Sequence, residues 1–470
     1  MSVNGRLLRL VHPEGVPHLQ AFLGSTTRRA LTQAGRVVAA AVLNTPEARR
    51  LIVDAGLAEV QDRDIGMALE HERIPLASFP YEWPPEMLHA AGRLTLDLAD
   101  GLLTEGLGLK DATPYNVLFR GSTAVFVDIL SVEQRAAGDA TWFSYAQFVR
   151  TFVLPLLVHQ RFGTPLHQPL LTHRDGLQPE EVYRLCGPLQ RLLPPFLTLV
   201  SIPTWLGARQ DPGDASIYQR AATADPAKAR FILAALFRGL RRTLDTLAPP
   251  KDRCSAWSGY MASKTHYTPE HFAAKSAFVN EALAEFRPRQ VLDIGCNTGH
   301  FSVLAAKRGA RVVAIDTDPV VVGRLWRTAH AEQLDILPLV VDVARPSPAV
   351  GWRNEECPSF LERARGAFDC VFLLAVVHHL LVSERIPLPA IIDLAAELTT
   401  DVLVIEFIAP EDPMFRRLTR GREALFASLT PQVFEAACRR HFEIQRSQHL
   451  AGANRWLYLL RRKDDGHASA

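Results

Sequence analysis

Strand-like apolar runs alternate with helical patterns in the second half of the chain, and this alternation restricts the fold more than any other feature of the sequence. Five runs, at 289–295, 311–316, 336–343, 368–376 and 401–408, each hold three or more apolar residues. Nearly continuous apolar strands separated by helices are typical of a parallel sheet with both faces covered. We therefore predict a doubly wound α/β domain, closed by an antiparallel hairpin from 442–448 and 455–462.

The chain changes character near residue 250, where Pro249 and Pro250 follow a helical pattern at 227–247. Two prolines end a helix, and 470 residues exceed the length of one ordinary domain. We therefore predict an N-terminal domain over 1–248 and a C-terminal domain over 253–463. The N-terminal domain is expected to be α+β and rich in helices.

The amino-acid composition indicates the type of protein and gives no support for certain binding partners. Hydrophobic residues make up 48% of the chain and charged residues 22%, which indicates a globular protein. A net charge of +2 gives no reason to expect a nucleic acid or a membrane surface as partner. The six cysteines form no C-x-x-C pair, so we expect reduced thiols, no metal site and a cytoplasmic location. No apolar run approaches the ~18–20 residues of a membrane span.

Glycines and carboxylates stand at the ends of the predicted strands. Gly295 and Gly299 lie where the first strand gives way to a helix, and glycine there permits a sharp turn and a close approach of ligand to backbone. Asp316 ends the second strand about 20 residues later, where a carboxylate can accept hydrogen bonds from ribose hydroxyls. Asp342 ends the third strand. The pattern predicts a nucleotide-binding crevice.

A dinucleotide site would carry G-x-G-x-x-G, but Asn297 and His300 replace two of those glycines. The segment 291–299 (VLDIGCNTG) fits D-x-G-x-x-x-G instead and resembles motif I of class I S-adenosylmethionine (SAM)-dependent methyltransferases. The segment 314–319 (AIDTDP) resembles the acidic-loop motif of that family. The resemblance covers about 255–462 and implies a Rossmann-like, seven-stranded methyltransferase domain with SAM as its cofactor. Another α/β protein with turn glycines and strand-end carboxylates stays open as the alternative.

Further segments resemble a group of bacterial methyltransferases, some of them nodulation-protein-like. These segments are 274–275, 346–352, 359–364, 378–381 and 405–414. The residues that the resemblance assigns to the cofactor are Tyr267, Lys275, Asp293, Gly295, Asn297, Gly299, Asp316, Asp342 and Val343.

The resemblance also divides these residues by the part of SAM that they would contact. Loop residues 295–299 would lie against the methionine part, with Asp293 holding its amino group through water. Asp316 would bind the ribose, and Asp342 with Val343 would flank the adenine. Tyr267 and Lys275 would belong to a helix that closes over the cofactor. A cationic Lys275 could pair with the SAM carboxylate, or it could be a solvated surface lysine.

Three side chains are candidates for catalysis. His378 and His379 follow the fourth strand, and histidine titrates near neutral pH, so one of them could act as a base or orient the acceptor. The alternative is that a histidine caps a helix or satisfies buried carbonyls. Glu406 lies within an apolar run, where a carboxylate either reaches the crevice or pairs with a cation. We expect methyl transfer to oxygen or nitrogen of a small-molecule metabolite, as in secondary metabolism.

The first half carries a pattern that looks like a degenerate kinase catalytic loop. Asp111, Asn116 and Asp128 follow the order and approximate spacing of the catalytic Asp, the Asn and the metal-binding Asp of kinases. Leu109 replaces the usual histidine, and no lysine occurs in residues 1–109. We expect a kinase-like fold used for substrate recognition or dimerisation. A phosphotransferase or ATP-binding regulator, a non-catalytic SAM-binding protein, and chance Asx turns stay open.

Overall fold

The computed structural model describes residues 2–3, 5–54, 65–207, 223–255 and 268–463. The chain forms two compact units. The second unit includes three residues that lie, in sequence, within the first unit. The first unit comprises Met1–Tyr81 and Pro85–Pro249, and the second comprises Glu82–Pro84 and Pro250–Ala470. Glu82 is fully buried in the second unit, where its carboxylate accepts hydrogen bonds from Ser347 and Arg363.

The first unit is rich in helices and carries small antiparallel sheets. Its strands are β1 (Ser2–Val3), β2 (Arg6–Val11), β3 (Ala40–Leu43), β4 (Met67–His71), β5 (Leu107–Leu109), β6 (Val117–Arg120), β7 (Thr123–Phe126) and β8 (Val132–Gln134). Its described helices are α1 (Val16–Gly24), α2 (Thr26–Gln33), α3 (Thr45–Asp54), α4 (Pro85–Thr104), α5 (Tyr145–Phe148), α6 (Leu154–Phe162), α7 (His167–Thr172), α8 (Pro179–Leu185), α9 (Ile202–Gly207) and α10 (Pro226–Thr246).

The described part of the first unit contains one four-stranded sheet and two separate strand pairs. That sheet has the order β1-β2-β4-β3, while β5 pairs with β8 and β6 with β7. The long helices α4 and α10 pack against each other. Helix α10 begins at Pro226, where the Asp225 side chain caps the amide of Ala227, and it ends at Thr246, shortly before Pro249.

The second unit is built on one seven-stranded sheet. Its strands are β9 (Gln290–Ile294), β10 (Arg311–Asp316), β11 (Ile336–Val340), β12 (Phe368–Leu373), β13 (Thr399–Ile408), β14 (Phe442–His449) and β15 (Arg455–Arg462). Its described helices are α11 (Pro269–Phe286), α12 (His300–Lys307), α13 (Pro319–Ala331), α14 (Phe360–Ala364), α15 (Val377–Val382), α16 (Leu388–Leu398), α17 (Pro413–Thr419) and α18 (Pro431–Cys438).

The order of this sheet is β11-β10-β9-β12-β13-β15-β14. Strands β9 to β13 are parallel, and β15 is antiparallel to both β13 and β14. The predicted doubly wound α/β fold with a closing hairpin is therefore confirmed. The chain leaves β9 toward β11 and then returns to β12 on the other side of β9, so a crevice opens at the carboxyl ends of these strands.

One face of this sheet changes from apolar to charged toward that crevice. Val291 of β9 and Val404 of β13 pack in the apolar core together with residues of α11. Side chains on one face of a strand recur every second residue. The next positions toward the carboxyl ends are Asp293 and Glu406, and the antiparallel β15 contributes Arg455 there. A buried charged layer therefore caps the core beside the crevice.

Among the described helices, none combines the length and the hydropathy that crossing a bilayer requires.

Candidate cofactor and active site

A cavity of about 330 Å³ lies at the carboxyl ends of β9, β10, β11 and β12. Its volume falls in the range of small-ligand sites, roughly 300–1,000 Å³. Its lining combines carboxylates with apolar side chains. The lining residues are Ile294, Gly295, Asn297, Asp316, Thr317, Val341, Asp342, Val343, Leu374, Ala375, Val376, His379, Leu380, Ser383 and Glu384.

The loop after β9 has a backbone that suits glycine and asparagine. Gly295 and Asn297 have φ of 72° and 50°, in the left-handed region that L side chains other than Asn and Asp rarely adopt. A Cβ on Gly295 would lie 2.4 Å from Cγ2 of Val376, so a larger residue would push this wall of the cavity away. Asn297 donates its backbone N–H to Asp316 over 2.9 Å, which ties the loop to the end of β10.

Gly299 shapes the loop from outside the cavity. It precedes α12 with φ of 83°, and a Cβ there would lie 2.2 Å from Cδ1 of Leu325 on α13. Gly299 is not among the lining residues. Its small size therefore serves the packing of α12 against α13, rather than direct contact with a ligand.

Asp316, which ends β10, and Asp342, which follows β11, both face the cavity. The Asp316 carboxylate accepts backbone hydrogen bonds from Asn297 at 2.9 Å and Asp318 at 3.0 Å, and burial raises the pKa of Asp316 above its usual value. Asp342 accepts from the amide of Ala344 at 2.9 Å and pairs with Arg345 at 2.8 Å. Each carboxylate is held in place by the backbone that follows its strand.

Asp293 is buried beneath the loop and does not line the cavity. Its side chain is 2% exposed and accepts a hydrogen bond from the hydroxyl of Ser302. Burial raises the pKa of Asp293 to about 6. The protonation of this carboxyl therefore changes close to neutral pH.

Lys275 and Glu406, which the sequence treats as separate candidates, form a buried ion pair. Lys275 Nζ lies 2.7 Å from Glu406 Oε2, and both side chains are almost completely buried. Burial lowers the pKa of Lys275. Arg455 lies 3.9 Å from Glu406 and also bonds Asp412 at 2.7 and 3.2 Å. Neither Lys275 nor Glu406 lines the cavity, and Glu406 has the cation partner that the sequence left open as its alternative role.

His378 and His379 differ in their access to the cavity. Both lie on α15, with ring centroids 4.2 Å apart. His379 lines the cavity, whereas His378 is 3% exposed and does not. Burial lowers the pKa of both imidazoles, because it disfavours the charged form. The lowered pKa favours the neutral form of each ring.

Several residues at the cavity were not predicted from the sequence. Thr317 follows β10, and Ser383 and Glu384 follow α15, all of them at the cavity. Arg345 pairs with both Asp342 and Glu384. Thr317 and Arg345 come shortly after a predicted strand, whereas Ser383 and Glu384 carry no such signal because a helix separates them from the strand. The predicted cofactor residue Tyr267 lies outside the described residues.

The kinase-like residues Asp111, Asn116 and Asp128 lie in the first unit and bond to neighbouring groups of that unit. Asn116 Nδ2 donates to the backbone carbonyl of Asp111 over 3.3 Å. The Asp128 carboxylate pairs with Arg9 of β2. Within the described ranges, no group of three or more His, Cys, Asp or Glu side chains is placed to hold a metal ion.

Known proteins resemble the chain in amino-acid sequence and in structure. Residues 266–454 match the family model of a methyltransferase domain. Over 433 residues the chain is 29% identical to nodulation protein NoeA of Rhizobium meliloti (strain 1021), covering 88% of each. N-methyltransferase NodS of Bradyrhizobium japonicum WM9 matches at 16% identity and a TM-score of 0.31, over 42% of this chain and 98% of NodS. Magnesium protoporphyrin IX methyltransferase (ChlM) of Synechocystis PCC 6803, crystallised with bound SAM, matches at 19% identity and a TM-score of 0.30, over 41% and 80%.

The family match falls on the part of the chain that forms the seven-stranded sheet and its cavity. The enzyme class and the SAM cofactor predicted from the sequence are thereby confirmed. The chain is a SAM-dependent methyltransferase, and its match to the methyltransferase domain model spans residues 266–454.

Proposed function

We propose that the enzyme methylates an oxygen or nitrogen of a small-molecule metabolite, with His379 as the base or orienting group. The observation that carries this proposal is the position of His379, which faces the same cavity as Gly295 and Asp316. Secondary metabolism is the setting that we propose for the acceptor.

The state of His379 suits that role. Its lowered pKa keeps the ring neutral at neutral pH, so an unprotonated nitrogen can accept a proton from an acceptor hydroxyl or amine. When bound, the cofactor supplies a methyl group on a sulfonium. Alignment can account for roughly 7–11 kcal/mol of barrier reduction, and a positioned base for about 10²–10⁴-fold in rate. We assign His378, which is buried beside His379, to holding the His379 ring in place.

The cavity fits the cofactor by the chemistry of its lining. Asp316 retains acceptor capacity beyond its two backbone hydrogen bonds, which suits the ribose hydroxyls. We assign Asp342 with Val343 to the adenine, and the backbone of Gly295 and Asn297 to the methionine part. These roles agree with the placement of all five residues around one cavity.

The remaining candidates act from outside the cavity. We assign Gly299 to the shape of the loop, and Asp293 to the amino group of the methionine part through water. We assign the Lys275–Glu406 pair to support of the cavity wall instead of catalysis, because each charge faces the other at 2.7 Å. The role of Tyr267 stays a prediction.

The division into domains 1–248 and 253–463, a homodimer and a cytoplasmic location also stay predictions. A phosphotransferase in the N-terminal half is the second candidate. There, a metal ion would have to displace Arg9 from Asp128. We therefore favour substrate recognition or dimerisation for the kinase-like half. A non-catalytic SAM-binding protein would bind the cofactor but release no methyl group to any acceptor.

Calorimetry with S-adenosylhomocysteine tests the assignment of Asp316. A hydrogen bond to a charged group contributes about 1.5–3 kcal/mol, so Asp316→Ala should weaken binding by roughly 10- to 100-fold. Asp128→Ala is the matched control, because that carboxylate belongs to the first unit. Undiminished binding by Asp316→Ala would overturn the assignment.

The role of His379 needs a turnover assay with labelled SAM and a small-molecule extract. His379→Ala should reduce the methyl-transfer rate by about 10²-fold or more, with S-adenosylhomocysteine affinity nearly unchanged. His378→Asn should retain more activity. Equal losses in the two variants would contradict the assignment of the base to His379.

A further inference from the structure

We propose that Arg345 is a latch across the mouth of the cofactor cavity, which must open for the cofactor to enter or leave. Arg345 Nη2 lies 2.8 Å from Asp342 Oδ2, and Arg345 Nη1 donates to Glu384 Oε2. Both carboxylates line the cavity. One guanidinium therefore joins two residues of the cavity wall.

The two carboxylates come from elements on opposite sides of the crevice. Asp342 follows β11, and Glu384 follows α15, the helix after β12. Strands β10 and β9 lie between β11 and β12 in the sheet. Strands are spaced by about 4.8 Å, so β11 and β12 are about 14 Å apart. The bridge from Asp342 through Arg345 to Glu384 therefore joins segments that follow β11 and α15, and β9 and β10 lie between β11 and β12 in the sheet.

The Arg345 side chain is exposed to solvent, as expected for a contact that forms and breaks. The Arg345 side chain is 69% exposed, against 28% for Asp342 and 27% for Glu384. Exposed ion pairs are weak and are screened by salt. The Asp342 carboxylate also accepts from the Ala344 amide, and the backbone N–H of Glu384 donates to the carbonyl of His379. We infer that the latch opens by rotation of the exposed arginine side chain.

A latch has a kinetic signature that differs from that of a residue touching the ligand. A latch that closes over both the empty and the filled cavity slows association and dissociation by the same factor. A direct contact slows dissociation alone and strengthens affinity. The inference rests on SAM occupying this cavity, and the two rate constants for S-adenosylhomocysteine test it without any acceptor.

The experiment is stopped-flow binding of S-adenosylhomocysteine to the full chain at low salt. In Arg345→Ala, both rate constants should rise by the same factor, roughly two- to thirtyfold, which is the shift that two exposed ion pairs can produce. Arg345→Lys should fall between wild type and alanine, because one ammonium does not bridge both carboxylates as a forked guanidinium does. The dissociation constant should stay nearly the same in all three proteins.

Salt and a matched variant provide the controls. Raising the salt to about 1 M shortens the Debye length to about 3 Å, so the wild-type rates should approach those of Arg345→Ala. Arg365→Ala removes a comparably exposed arginine, paired with Glu397 at 3.0 Å, and should behave as wild type. Unchanged rates in Arg345→Ala, or a rise in dissociation alone, would overturn the latch. Absence of binding in every protein, wild type included, would overturn the cofactor assignment itself.

Discussion

Carboxylates follow a β-strand in both units, and their surroundings differ. In the second unit, Asp316 ends β10, Asp342 follows the neighbouring parallel strand β11, and both line a cavity of about 330 Å³. In the first unit, Asp128 follows β7 of an antiparallel pair, and its carboxylate faces Arg9. Parallel strands bring their carboxyl ends to one edge of a sheet, whereas a hairpin does not gather strand ends in this way.

The contrast shows that an acidic residue after a strand does not define a site by itself. Two ion pairs, one from each unit, also differ in burial: Lys275 and Glu406 are 4% and 0% exposed, whereas Arg9 and Asp128 are 36% and 30% exposed. Removing one partner of a buried ion pair lowers the free energy of unfolding strongly, whereas removing one partner of an exposed pair lowers it little. Substitutions in the two units therefore test the comparison.

The largest effect is expected when the buried pair is broken. Glu406→Ala removes the carboxylate that compensates the buried Lys275 ammonium, and should lower the free energy of unfolding by about 3–5 kcal/mol. Urea unfolding followed by circular dichroism measures this change.

A double variant separates the charge from the packing. Lys275→Met combined with Glu406→Leu removes both charges and keeps apolar volume, so it should be less destabilised than Glu406→Ala. If Glu406→Ala lost less than about 1 kcal/mol, the buried layer would behave like a surface pair and the contrast between the units would fail.

A second comparison concerns two glycines with similar backbones. Gly299 and Gly106 have φ of 83° and 73°, but a Cβ on Gly299 would meet Leu325 at 2.2 Å and one on Gly106 would meet nothing within 4 Å. Gly106→Ala should cost about 1–2 kcal/mol for the left-handed backbone alone. Gly299→Ala should cost about 2–4 kcal/mol because overpacking adds to it. Equal losses by urea unfolding would show that Leu325 moves aside without cost.

The sequence predicted the sheet well because each buried strand has to be apolar on both faces. The expected runs correspond to β9–β13, and the expected hairpin corresponds to β14 and β15. Strand-end carboxylates such as Asp316 were also predictable, since the topology brings strand ends together. The cofactor, by contrast, was inferred from the resemblance of 291–299 to motif I.

Contacts between distant side chains were not predictable. Lys275 and Glu406 are 131 positions apart, and their pairing depends on how α11 packs on β13. The bridge from Asp342 through Arg345 to Glu384 likewise depends on the fold of two loops. A single sequence shows hydrophobic periodicity, but it does not show which distant side chains are in contact. The difference between His378 and His379 has the same origin, because adjacent residues on a helix point in different directions.

A smaller effect is expected from pH, through Asp293. Its pKa is about 6 in the folded chain, against 3.8 for an ordinary aspartate. Between these two values the folded state keeps a proton that the unfolded state has released, so ionisation of Asp293 lowers stability as the pH rises from 4 to 7. Asp293→Asn lacks this titration. The stability of the variant relative to wild type should therefore increase over that interval by about 1–3 kcal/mol. Parallel stability curves from urea unfolding at several pH values would contradict the burial of this charge.

The smallest effect is expected at Asp128, and it tests the other side of the comparison. Asp128→Ala breaks an ion pair whose partners are about one-third exposed, so the free energy of unfolding should fall by less than about 1 kcal/mol. Arg9→Ala, which removes the other partner, should cost a similar amount, because water solvates whichever charge remains. A loss above about 2 kcal/mol in either variant would indicate a desolvated pair. Asp128 would then resemble the buried charged layer of the second unit.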